Sequence, residues 1–422
     1  MLDLLGPLRK LLGKSKEKEY YAGLDIGTTK VCAIIGKLDD DNKLTIMGVG
    51  SNPSVGLKRG IVVNMEKTVE SIQNALAKAE RMANVDVEEV LVGIAGEHIS
   101  CINTNGVVTV DDPERGVQYK DIAHAKEKAL KLTMPDDREI INAVPQEYTC
   151  DDQAHIQDPT NITCQRLEVK MHVVLGSKTN RQNIIKCVTQ AGYKVKSILF
   201  ESLASSLAIV QESETELGCV VLDIGGGTTD MAVFTEGSIR HSGVIPFGGD
   251  NLTNDISITL RIASSPDAET IKKKYGSSIP SRCDEKDTVE IQPKIQRTKE
   301  LIPRKFLVEI IRYRLEEILL MSKTALDDTE YRDKLYAGVV LTGGTSLIDG
   351  IEELAEKVFG MPARVGSPEC LKGMTGVISS PIYSTAVGLV QYATDEIKDG
   401  YSKNGHFKHV LLRFFSKLFG EV

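Results

Sequence analysis

The chain has 422 residues, of which 41% are hydrophobic and 26% are charged, so it is long enough to bury the cores of several subdomains. Its formal net charge of −8 argues against a nucleic-acid-binding surface, which normally needs clustered Lys and Arg, and we expect no nucleic-acid partner. The eight cysteines show no CxxC spacing and no apolar run reaches about 18 residues, so we expect a reducing compartment and no membrane-spanning helix.

The first motif in chain order is GLDIGTTKVCAIIG, in which an apolar strand ends at Asp25, the chain turns at Gly27 and a second strand follows. A fuller copy, VLDIGGGTTDMAVF, occurs at residues 221–234 with Asp223 in the corresponding position. Both patterns predict a strand, a tight turn and a second strand. Glycine lets backbone N–H groups approach an anion, and a carboxylate at a strand end can hold Mg²⁺ through water. Each copy alone could be a plain hairpin, but the repetition favours two facing hairpins that clamp the phosphates of one nucleotide.

The segment between the two hairpins is predicted to contain a strand near residues 90–95, a mixed region and two helices. The mixed region has the strand-like runs VVTV, EIINAVPQEYT and LEVKMHVVLG and a helical run from about residue 119 to 132. The two helices are predicted near residues 178–190 and 200–210. The mixed region therefore indicates a small α/β subdomain.

A polar segment at residues 247–318 follows the second hairpin and is rich in predicted helix. Its last helix, predicted from about residue 303 to 321, carries basic residues beside apolar ones: Arg304, Lys305, Arg312 and Arg314 beside Leu307, Ile311, Leu315 and Leu319. Such a mixture can bind a short peptide with acidic and apolar anchors. The alternative is a core helix with a solvated basic face.

A third glycine turn occurs in GVVLTGGTSLIDGI, where a buried strand runs into Gly343 and Gly344. A helix is predicted to begin near Ser346, which is a suitable cap. Glycines without side chains would let a flat base or ribose lie against the backbone. A strand, a Gly-Gly pair and a helix are common when they occur alone, but their order after the two hairpins favours a nucleotide site.

The chain ends in HFKHVLLRFFSKLFGEV, which follows the polar run DEIKDGYSKNG. Large apolar residues recur there at helical spacing, and basic residues occupy the other side. This pattern predicts a linker at residues 396–405 and an amphipathic helix at residues 406–422 that lies on an anionic membrane surface. The alternative is a helix docked on the protein's own core. The residues expected at the membrane are Phe407, Val410, Leu411, Arg413, Phe414, Phe415, Lys417 and Leu418.

The seven histidines are dispersed along the chain, and no His or Cys spacing predicts a metal site. The one close pair, His406 and His409, lies in the C-terminal tail. We expect all seven to be structural or surface residues.

The two hairpins, the third glycine turn and the helical runs FESLASSLAIV and YSTAVGLVQYA resemble the five signature elements of the actin, sugar kinase and DnaK-type chaperone superfamily. Further stretches, among them GIAGEHIS, VPQEY, IRHSGVIPFGG and PIYSTAVGL, resemble the bacterial cell-division FtsA family over roughly residues 20 to 395. The resemblance implies a two-lobed actin-like α/β ATPase fold, with a small α/β insertion in each lobe and a C-terminal amphipathic helix. Each lobe would supply one hairpin, and ATP with Mg²⁺ would lie between the lobes.

The resemblance also implies where the subdomains begin and end. An N-terminal extension is expected at residues 1–18. The core of lobe 1 is expected at residues 19–98, 175–215 and 376–395, with an inserted subdomain at residues 99–174. The core of lobe 2 is expected at residues 216–246 and 319–375, with its small subdomain at residues 247–318.

By the same resemblance, Asp25 and Asp223 are the carboxylates on the metal side. The residues implied around the nucleotide are Gly27, Thr28, Thr29, Lys30, Gly225, Gly226, Gly227, Thr228 and Thr229 at the phosphates, and Gly343, Gly344 and Thr345 at the adenosine. Glu201 falls where DnaK-type chaperones place a glutamate that orients water. A carboxylate that caps the helix is the other interpretation of Glu201, so ATP binding is expected and hydrolysis, weak at most, stays open.

The FtsA resemblance implies a structural protein more than an enzyme. It implies an ATP-dependent polymer that binds the tail of FtsZ, ties the FtsZ ring to the cytoplasmic face of the cell membrane at the division site and recruits later division proteins. Arg304, Lys305 and Arg312 are the residues expected to contact the FtsZ tail. The alternative is an actin-like ATPase of pilus assembly or rod-shape maintenance. A chaperone or a sugar kinase is disfavoured because we find no substrate-binding domain and no sugar pocket in the sequence.

Overall fold

The computed structural model describes residues 20–401 apart from 40–42, 263, 294–297, 370–371 and 374. Two lobes, each built on a central sheet with packed helices, confirm the predicted fold class. The predicted N-terminal extension at residues 1–18 and the predicted amphipathic helix at residues 406–422 lie outside the described residues.

Lobe 1 is built on a six-stranded sheet with helices on both faces. Its strands are β1 (Tyr20–Ile26), β2 (Lys30–Leu38), β3 (Leu44–Pro53), β6 (Glu89–Ile94), β11 (Lys194–Phe200) and β19 (Lys372–Gly373), with a hairpin of β4 (Leu57–Lys58) and β5 (Ile61–Val62) beside them. Its helices are α1 (Met65–Ala83), α3 (Lys178–Gln190), α4 (Glu201–Ile209), α10 (Thr375–Ile378) and α11 (Ser384–Tyr401). The strand order is β11-β6-β1-β2-β3-β19, in which β1 to β3 form an antiparallel meander and β6 runs parallel to β1 and β11.

Lobe 2 repeats this pattern with five strands. They are β12 (Cys219–Ile224), β13 (Thr229–Thr235), β14 (Ser238–Ile245), β17 (Gly338–Thr342) and β18 (Ala363–Val365), in the order β14-β13-β12-β17-β18. Here β12 to β14 form the antiparallel meander, and β17 runs parallel to β12 and β18. Two helices accompany these core strands: α5 (Glu212–Leu217) precedes β12, and α9 (Ile351–Phe359) lies between β17 and β18. The doubled sequence motif thus occupies the first turn of the same meander in each lobe.

The inserted subdomain of lobe 1 is a four-stranded antiparallel sheet with one helix. Its elements are β7 (Ser100–Thr109), α2 (Tyr119–Ala129), β8 (Arg138–Cys150), β9 (Gln153–Ile156) and β10 (Arg166–Ser177), and the strand order is β7-β10-β8-β9. The helix predicted to reach residue 132 ends at Ala129. The inserted subdomain has its own hydrophobic core, which is separate from the cores of the two lobes and includes Tyr148, Leu167 and Val169.

The small subdomain of lobe 2 is mainly helical. Its elements are α6 (Gly249–Thr259), α7 (Ser265–Tyr275), β15 (Thr288–Ile291), β16 (Glu300–Pro303) and α8 (Arg304–Asp327). The predicted subdomain boundary at residue 318 falls inside α8, and the helix continues past the predicted end at residue 321. It is one continuous helix because its buried residues extend to Leu326 in the core of lobe 2.

Two predicted helix boundaries differ from the structure. The helix predicted to begin near Ser346 begins at Ile351, after a 3₁₀ turn at Gly344–Leu347 in which the Ser346 hydroxyl donates to the Gly343 carbonyl. The last helix, α11, runs to Tyr401 and so covers the first part of the predicted linker at residues 396–405. Among the described residues, no helix combines the length and the apolar character needed to cross a bilayer.

The inserted subdomain belongs to lobe 1 by sequence but also packs against lobe 2. The strand that it contacts, β14, lies at one edge of the lobe 2 sheet. Side-chain nitrogens of Asn103 and Gln146 donate to the Arg240 and Ile239 carbonyls at 2.9 and 2.7 Å, and the Ser238 hydroxyl donates to the Gln146 carbonyl at 2.7 Å. We call this contact the β14 junction. Its polar side chains satisfy an edge that would otherwise present free backbone groups.

Candidate functional site

A cavity of about 530 Å³ lies between the two lobes. It gathers the predicted nucleotide residues of both hairpins and of the third turn, together with Glu201. The predicted residues that line it are Asp25, Gly27, Thr28, Thr29, Lys30, Glu201, Asp223, Gly225, Gly226, Gly227, Thr228, Gly343, Gly344 and Thr345. Segments far apart in the sequence therefore form one site.

The turns of the two hairpins pack directly on each other. A Cβ atom at Gly226 would lie 1.8 Å from the Thr29 hydroxyl oxygen, and one at Gly227 would lie 2.6 Å from the Thr28 hydroxyl oxygen. The Thr29 hydroxyl also donates to Asp250 of lobe 2 at 3.2 Å. Only glycine fits at these two positions, because any side chain would push the lobes apart.

The third glycine turn passes beside the carboxylate of Asp223. Gly343 has φ +84°, and a Cβ there would lie 2.4 Å from the Asp223 carboxylate. The Thr345 hydroxyl donates to the Gly225 carbonyl at 2.9 Å, which ties the third turn to the second hairpin. Glycine at residue 343 therefore lets the third turn pack closely against the second hairpin.

Four carboxylates are buried in or beside the cavity, and burial raises the pKa of each. Burial and then the Asp25 charge raise the pKa of Asp223 to about 6, although the Thr385 hydroxyl donates to it at 3.1 Å. Burial raises the pKa of Asp25, while Lys30 opposes this. The pKa values of Glu201 and Asp230 are raised well above the ordinary range by burial and by neighbouring carboxylates. A divalent cation would reverse this repulsion, so the acidic set fits Mg²⁺.

Asp230 is a site residue that the sequence interpretation missed. It lies on β13 opposite Asp223, and its Oδ2 accepts from the Thr228 hydroxyl at 3.3 Å. Its Oδ1 is buried and has no hydrogen-bond partner in the structure. An unpartnered buried carboxylate oxygen beside the cavity is consistent with a ligand that completes the site. The sequence shows Asp230 at the end of the motif DIGGGTTD, but it does not show that the side chain points towards the cavity.

Helix α7 supplies a second missed group. Lys272 is buried and donates to the Gly249 carbonyl at 2.9 Å, while its partner Glu269 also pairs with the exposed Lys273 at 3.2 Å. All three line the cavity, as do Asp250 and Gly276. The spacing of residues 269, 272, 273 and 276 marks one face of a helix and was the signal that could have revealed them.

Thr229 was predicted to contact the ligand, but it does not line the cavity. It is fully buried in β13, and its hydroxyl donates to the Phe247 carbonyl at 2.8 Å. Thr229 therefore supports the hairpin from behind. Strand alternation explains the difference, because successive side chains point to opposite faces.

Glu201 is placed in the cavity rather than in a helix cap. The N-cap position of α4 is Phe200, which makes no side-chain capping hydrogen bond. A Cβ at Gly93 would lie 2.9 Å from the Glu201 side chain, so glycine at residue 93 makes room for it.

The basic residues predicted to contact a peptide lie on the surface of α8. The apolar residues predicted beside them do not. Leu307, Ile311, Leu315 and Leu319 are fully buried in the lobe 2 core, so the prediction that they anchor a peptide is wrong. Arg304 donates to the Tyr275 carbonyl and pairs with Asp287, while Arg312 pairs with Glu316 at 3.5 Å. Lys305 is exposed.

A different set of apolar side chains is exposed on α8. Phe306, Tyr313 and Leu320 are 43%, 68% and 49% exposed and recur every seven residues, so they follow one face of the helix. We call these three residues the α8 stripe. Lys305 and Arg312 flank it in a parallel row.

One cluster outside the cavity has the composition of a metal site. The ligand atoms of Glu147, His155 and Glu236 lie within 4.8 Å of one another. Lys170 pairs with Glu147 at 2.6 Å, and Arg240 pairs with Glu236 at 2.7 Å. Because these two cations already balance the carboxylates, the cluster is better described as an ion-pair network of the β14 junction.

Comparison with known proteins agrees with this architecture. A family model described as "Cell division protein FtsA" matches residues 220–388, and one described as "SHS2 domain inserted in FTSA" matches residues 96–175, the inserted subdomain. The chain is 42% identical over 384 residues to cell division protein FtsA of Pseudomonas aeruginosa, covering 91% of each chain. It is 40% identical over 382 residues to FtsA of Neisseria meningitidis, covering 90% of this chain and 91% of the relative.

Solved structures of lower identity share the fold. The PilM–PilN type IV pilus biogenesis complex matches with a TM-score of 0.63 at 16% identity, covering 89% of this chain and 98% of that chain. MreB5 of Spiroplasma citri bound to ADP matches with a TM-score of 0.55 at 16% identity, covering 90% and 98%. At this level of identity, the solved structures establish only that the chain has the actin-like fold. The relatives at 40% and 42% identity establish its family. The chain belongs to the FtsA family of actin-like cell-division proteins.

Proposed function

We propose that this protein binds ATP and Mg²⁺ between its lobes, polymerises, and links the FtsZ ring to the cytoplasmic face of the membrane at the division site. The observation that carries the proposal is the convergence of three glycine turns and buried carboxylates on one cavity, in a chain of the FtsA family. A related fold, MreB5, is bound to ADP and AMPPNP in two solved structures. Later division proteins would be recruited by the assembled polymer.

In this proposal each lobe supplies one set of phosphate ligands. Backbone N–H groups at the tips of the two hairpin turns would bind the phosphates, and Lys30 would add a positive charge from lobe 1. Asp25 and Asp223 hold the metal ion through water, one from each lobe. The metal neutralises phosphate charge, and the chain's own groups fix the position of the triphosphate.

Glu201 and Asp230 are the residues available for a weak hydrolysis step. Glu201 would accept a proton from a water molecule at the terminal phosphate once a bound cation offsets the neighbouring carboxylates, which together with burial raise its pKa well above the ordinary range. Asp230 lies in the same acidic set and adds to that raised pKa. The protein acts mainly as an ATP-dependent scaffold, with turnover subordinate to assembly.

The FtsZ tail is proposed to bind the α8 stripe. Phe306 and Tyr313 supply the apolar contacts, and Lys305 supplies a positive charge beside them. Arg304 already bonds to the Tyr275 carbonyl and to Asp287, so Lys305 is the better candidate for the charged contact. We expect Tyr313→Ala and Lys305→Glu to weaken binding of an FtsZ tail peptide in fluorescence anisotropy, while Lys323→Glu at the far end of the helix leaves it unchanged. Equal affinity in all variants would exclude this surface.

The membrane contact is proposed to be residues 406–422, with Phe414 and Phe415 on the lipid side. One amphipathic helix binds reversibly, and a polymer multiplies it into stable attachment. The test is co-sedimentation of the full chain, with FtsZ and Mg-ATP, on vesicles of anionic lipid. Removal of residues 406–422 should release both proteins from the vesicles while ATP binding persists. Persistent sedimentation of the shortened chain would contradict this assignment.

A further inference from the structure

The turn of the β4–β5 hairpin has an unusual composition. Leu57 pairs with Val62 and Lys58 with Ile61, so Arg59 and Gly60 form a two-residue turn. Both turn residues have positive φ, +49° for Arg59 and +76° for Gly60. Hairpins of this kind favour Asn-Gly or Asp-Gly, because long side chains are strained in the left-handed region. Because the left-handed conformation is strained for arginine, we looked for a role of the Arg59 side chain that could explain it.

This turn touches the phosphate hairpins of both lobes. The Gly60 N–H donates to the Thr28 hydroxyl at 3.3 Å, and Gly60 itself lines the cavity. A Cβ atom at Gly227 would lie 3.1 Å from the Arg59 Cα. The backbone of Arg59 therefore lies beside the two hairpin turns, whereas α7 and the third glycine turn would surround the adenosine in the proposed site.

The same turn packs against the end of β6, next to the proposed position of the terminal phosphate. A Cβ atom at Gly60 would lie 2.4 Å from the Ala95 carbonyl oxygen, and Ala95 also lines the cavity. Gly93, on the same strand, makes room for Glu201. The backbone of Arg59 is thus adjacent to the part of the cavity that holds the proposed general base.

The guanidinium of Arg59 is held by a weak contact. It pairs with Glu97 at 2.8 Å, and the two side chains are 44% and 42% exposed. Its Cζ lies 6.0 Å from the ring centroid of Phe247 in lobe 2. An exposed ion pair of this kind is easily exchanged. The lysines that line the cavity also have partners within the protein: Lys30 contacts the Ile382 carbonyl, and Lys272 and Lys273 pair with Glu269.

We propose that Arg59 contacts the terminal phosphate of a nucleoside triphosphate, exchanging Glu97 for it, and so gives the site its preference for ATP over ADP. The inference rests on the proposed nucleotide site. A guanidinium binds phosphate oxygens in a bidentate manner, and a diphosphate leaves this contact unmade. Glu97 competes with the phosphate for the same guanidinium.

The test uses the full chain and measures the affinities for Mg-ATP and Mg-ADP by calorimetry. The main variant is Arg59→Asn, because asparagine suits the left-handed turn and removes only the guanidinium. We expect ATP affinity to fall at least about tenfold, ADP affinity to stay within about twofold, and the melting temperature not to fall. Lys58→Ala removes the neighbouring positive charge and is the matched control, with both affinities unchanged. Glu97→Gln removes the competitor and should raise ATP affinity alone.

The outcomes separate this inference from the proposed function. If the unchanged protein binds ATP and Arg59→Asn keeps the same ratio of ATP to ADP affinity, Arg59 does not contact the terminal phosphate. If Lys58→Ala lowers ATP affinity as much as Arg59→Asn, the effect is general electrostatic attraction and the inference is wrong. If the unchanged protein binds neither nucleotide, the nucleotide site is wrong and this inference fails with it.

Discussion

The β14 junction and the cavity are two of the places where the lobes meet, and the polar groups of the first have partners inside the protein whereas those of the second do not all have them. At the β14 junction nearly every polar side chain has a partner inside the protein: His172 lies 2.8 Å from both Asn103 Oδ1 and Ser242 Oγ, and Gln146 bonds to the Ile239 carbonyl. In the cavity, Asp223 and Asp230 face other carboxylates, and Asp230 Oδ1 has no partner. The junction is complete as it stands, whereas the cavity is completed by a ligand.

This difference assigns different mechanical roles to the two regions. A satisfied buried network holds one geometry, because breaking any member leaves an unpaired polar group. A cluster of like charges has no preferred geometry of its own and is stabilised by a cation. The β14 junction is therefore the contact that is already fixed in the free protein, and the cavity is the contact that depends on a ligand.

The bonding of His172 shows how tightly the junction is specified. Asn103 Nδ2 donates to the Arg240 carbonyl, which fixes Oδ1 as the atom facing His172. His172 Nδ1 therefore donates to Oδ1, and Nε2 accepts from the Ser242 hydroxyl. Burial and the neighbouring His241 lower the pKa of His172 to about 3, so the imidazole is neutral at physiological pH.

The largest effect is expected from Asp223→Asn in the cavity. The change removes a metal-side charge, so the affinity for Mg-ATP should fall at least about 100-fold. Because the Asp223 charge is repelled by its neighbours in the free protein, the melting temperature without nucleotide should not fall. Calorimetry and thermal unfolding measure the two quantities, with the exposed Asp333→Asn as control. Unchanged Mg-ATP affinity would show that this hairpin does not hold the metal.

The opposite pattern is expected for His172→Ala at the junction. The variant leaves Asn103 and Ser242 without their partner and opens a cavity, so the free energy of unfolding should fall by about 3 kcal/mol. Nucleotide affinity should change by less than about threefold, because His172 lies outside the cavity. Urea unfolding measures the first quantity, and His124→Ala, at an exposed position of α2, is the control. A loss of ATP affinity without a loss of stability would contradict the proposed division between the two regions.

The free energy of unfolding should also decrease at acid pH because of His172 in the junction. The folded pKa of His172, about 3, lies below the ordinary value of 6.5, so the unfolded chain binds the proton more readily between these values. Its contribution is complete above pH 6.5 and decreases as the pH falls towards 3. The stability deficit of His172→Gln should therefore shrink by up to about 2 kcal/mol between pH 7.5 and pH 5. Urea midpoints at several pH values test this, and parallel pH profiles for both proteins would refute it.

The smallest effect is expected from Lys273→Ala at the edge of the cavity. Lys273 is 69% exposed and already paired with Glu269, so its loss should lower ATP and ADP affinity equally, by about threefold. Lys274→Ala on the same helix is the matched control, because Lys274 does not line the cavity. If the variant lost affinity for ATP but not for ADP, the terminal phosphate would lie closer to α7 than proposed.

The sequence was sufficient for the parts of the site that depend on local chemistry. The two hairpin turns and the Gly343–Gly344 turn were predicted because glycine after a buried strand specifies a turn whatever lies around it. The repeated motif also predicted two related lobes, because one strand–turn–strand unit was found twice. Asp25 and Asp223 followed from their positions at strand ends, whereas Glu201 followed only from the resemblance to DnaK-type chaperones.

The parts that depend on packing were not predictable from the sequence. Periodicity identifies an apolar face on α8 without saying what covers it, and here the lobe 2 core covers Leu307, Ile311, Leu315 and Leu319. Thr229 was placed in the site because adjacent threonines look alike in a motif, whereas a strand turns one of them away. The contact between the inserted subdomain and β14 joins residues far apart in sequence, so no local pattern could indicate it.

The inserted subdomain covers the open edge of β14, so the rest of the protein depends on it for solubility. Removal of the inserted subdomain would uncover the Ile239, Arg240 and Ser242 carbonyls along one side of an apolar sheet. An open strand edge pairs readily with another chain, so such a deletion would favour insoluble aggregates over a smaller working protein. Loss of the insertion in a descendant would therefore need accompanying charged or proline substitutions on β14.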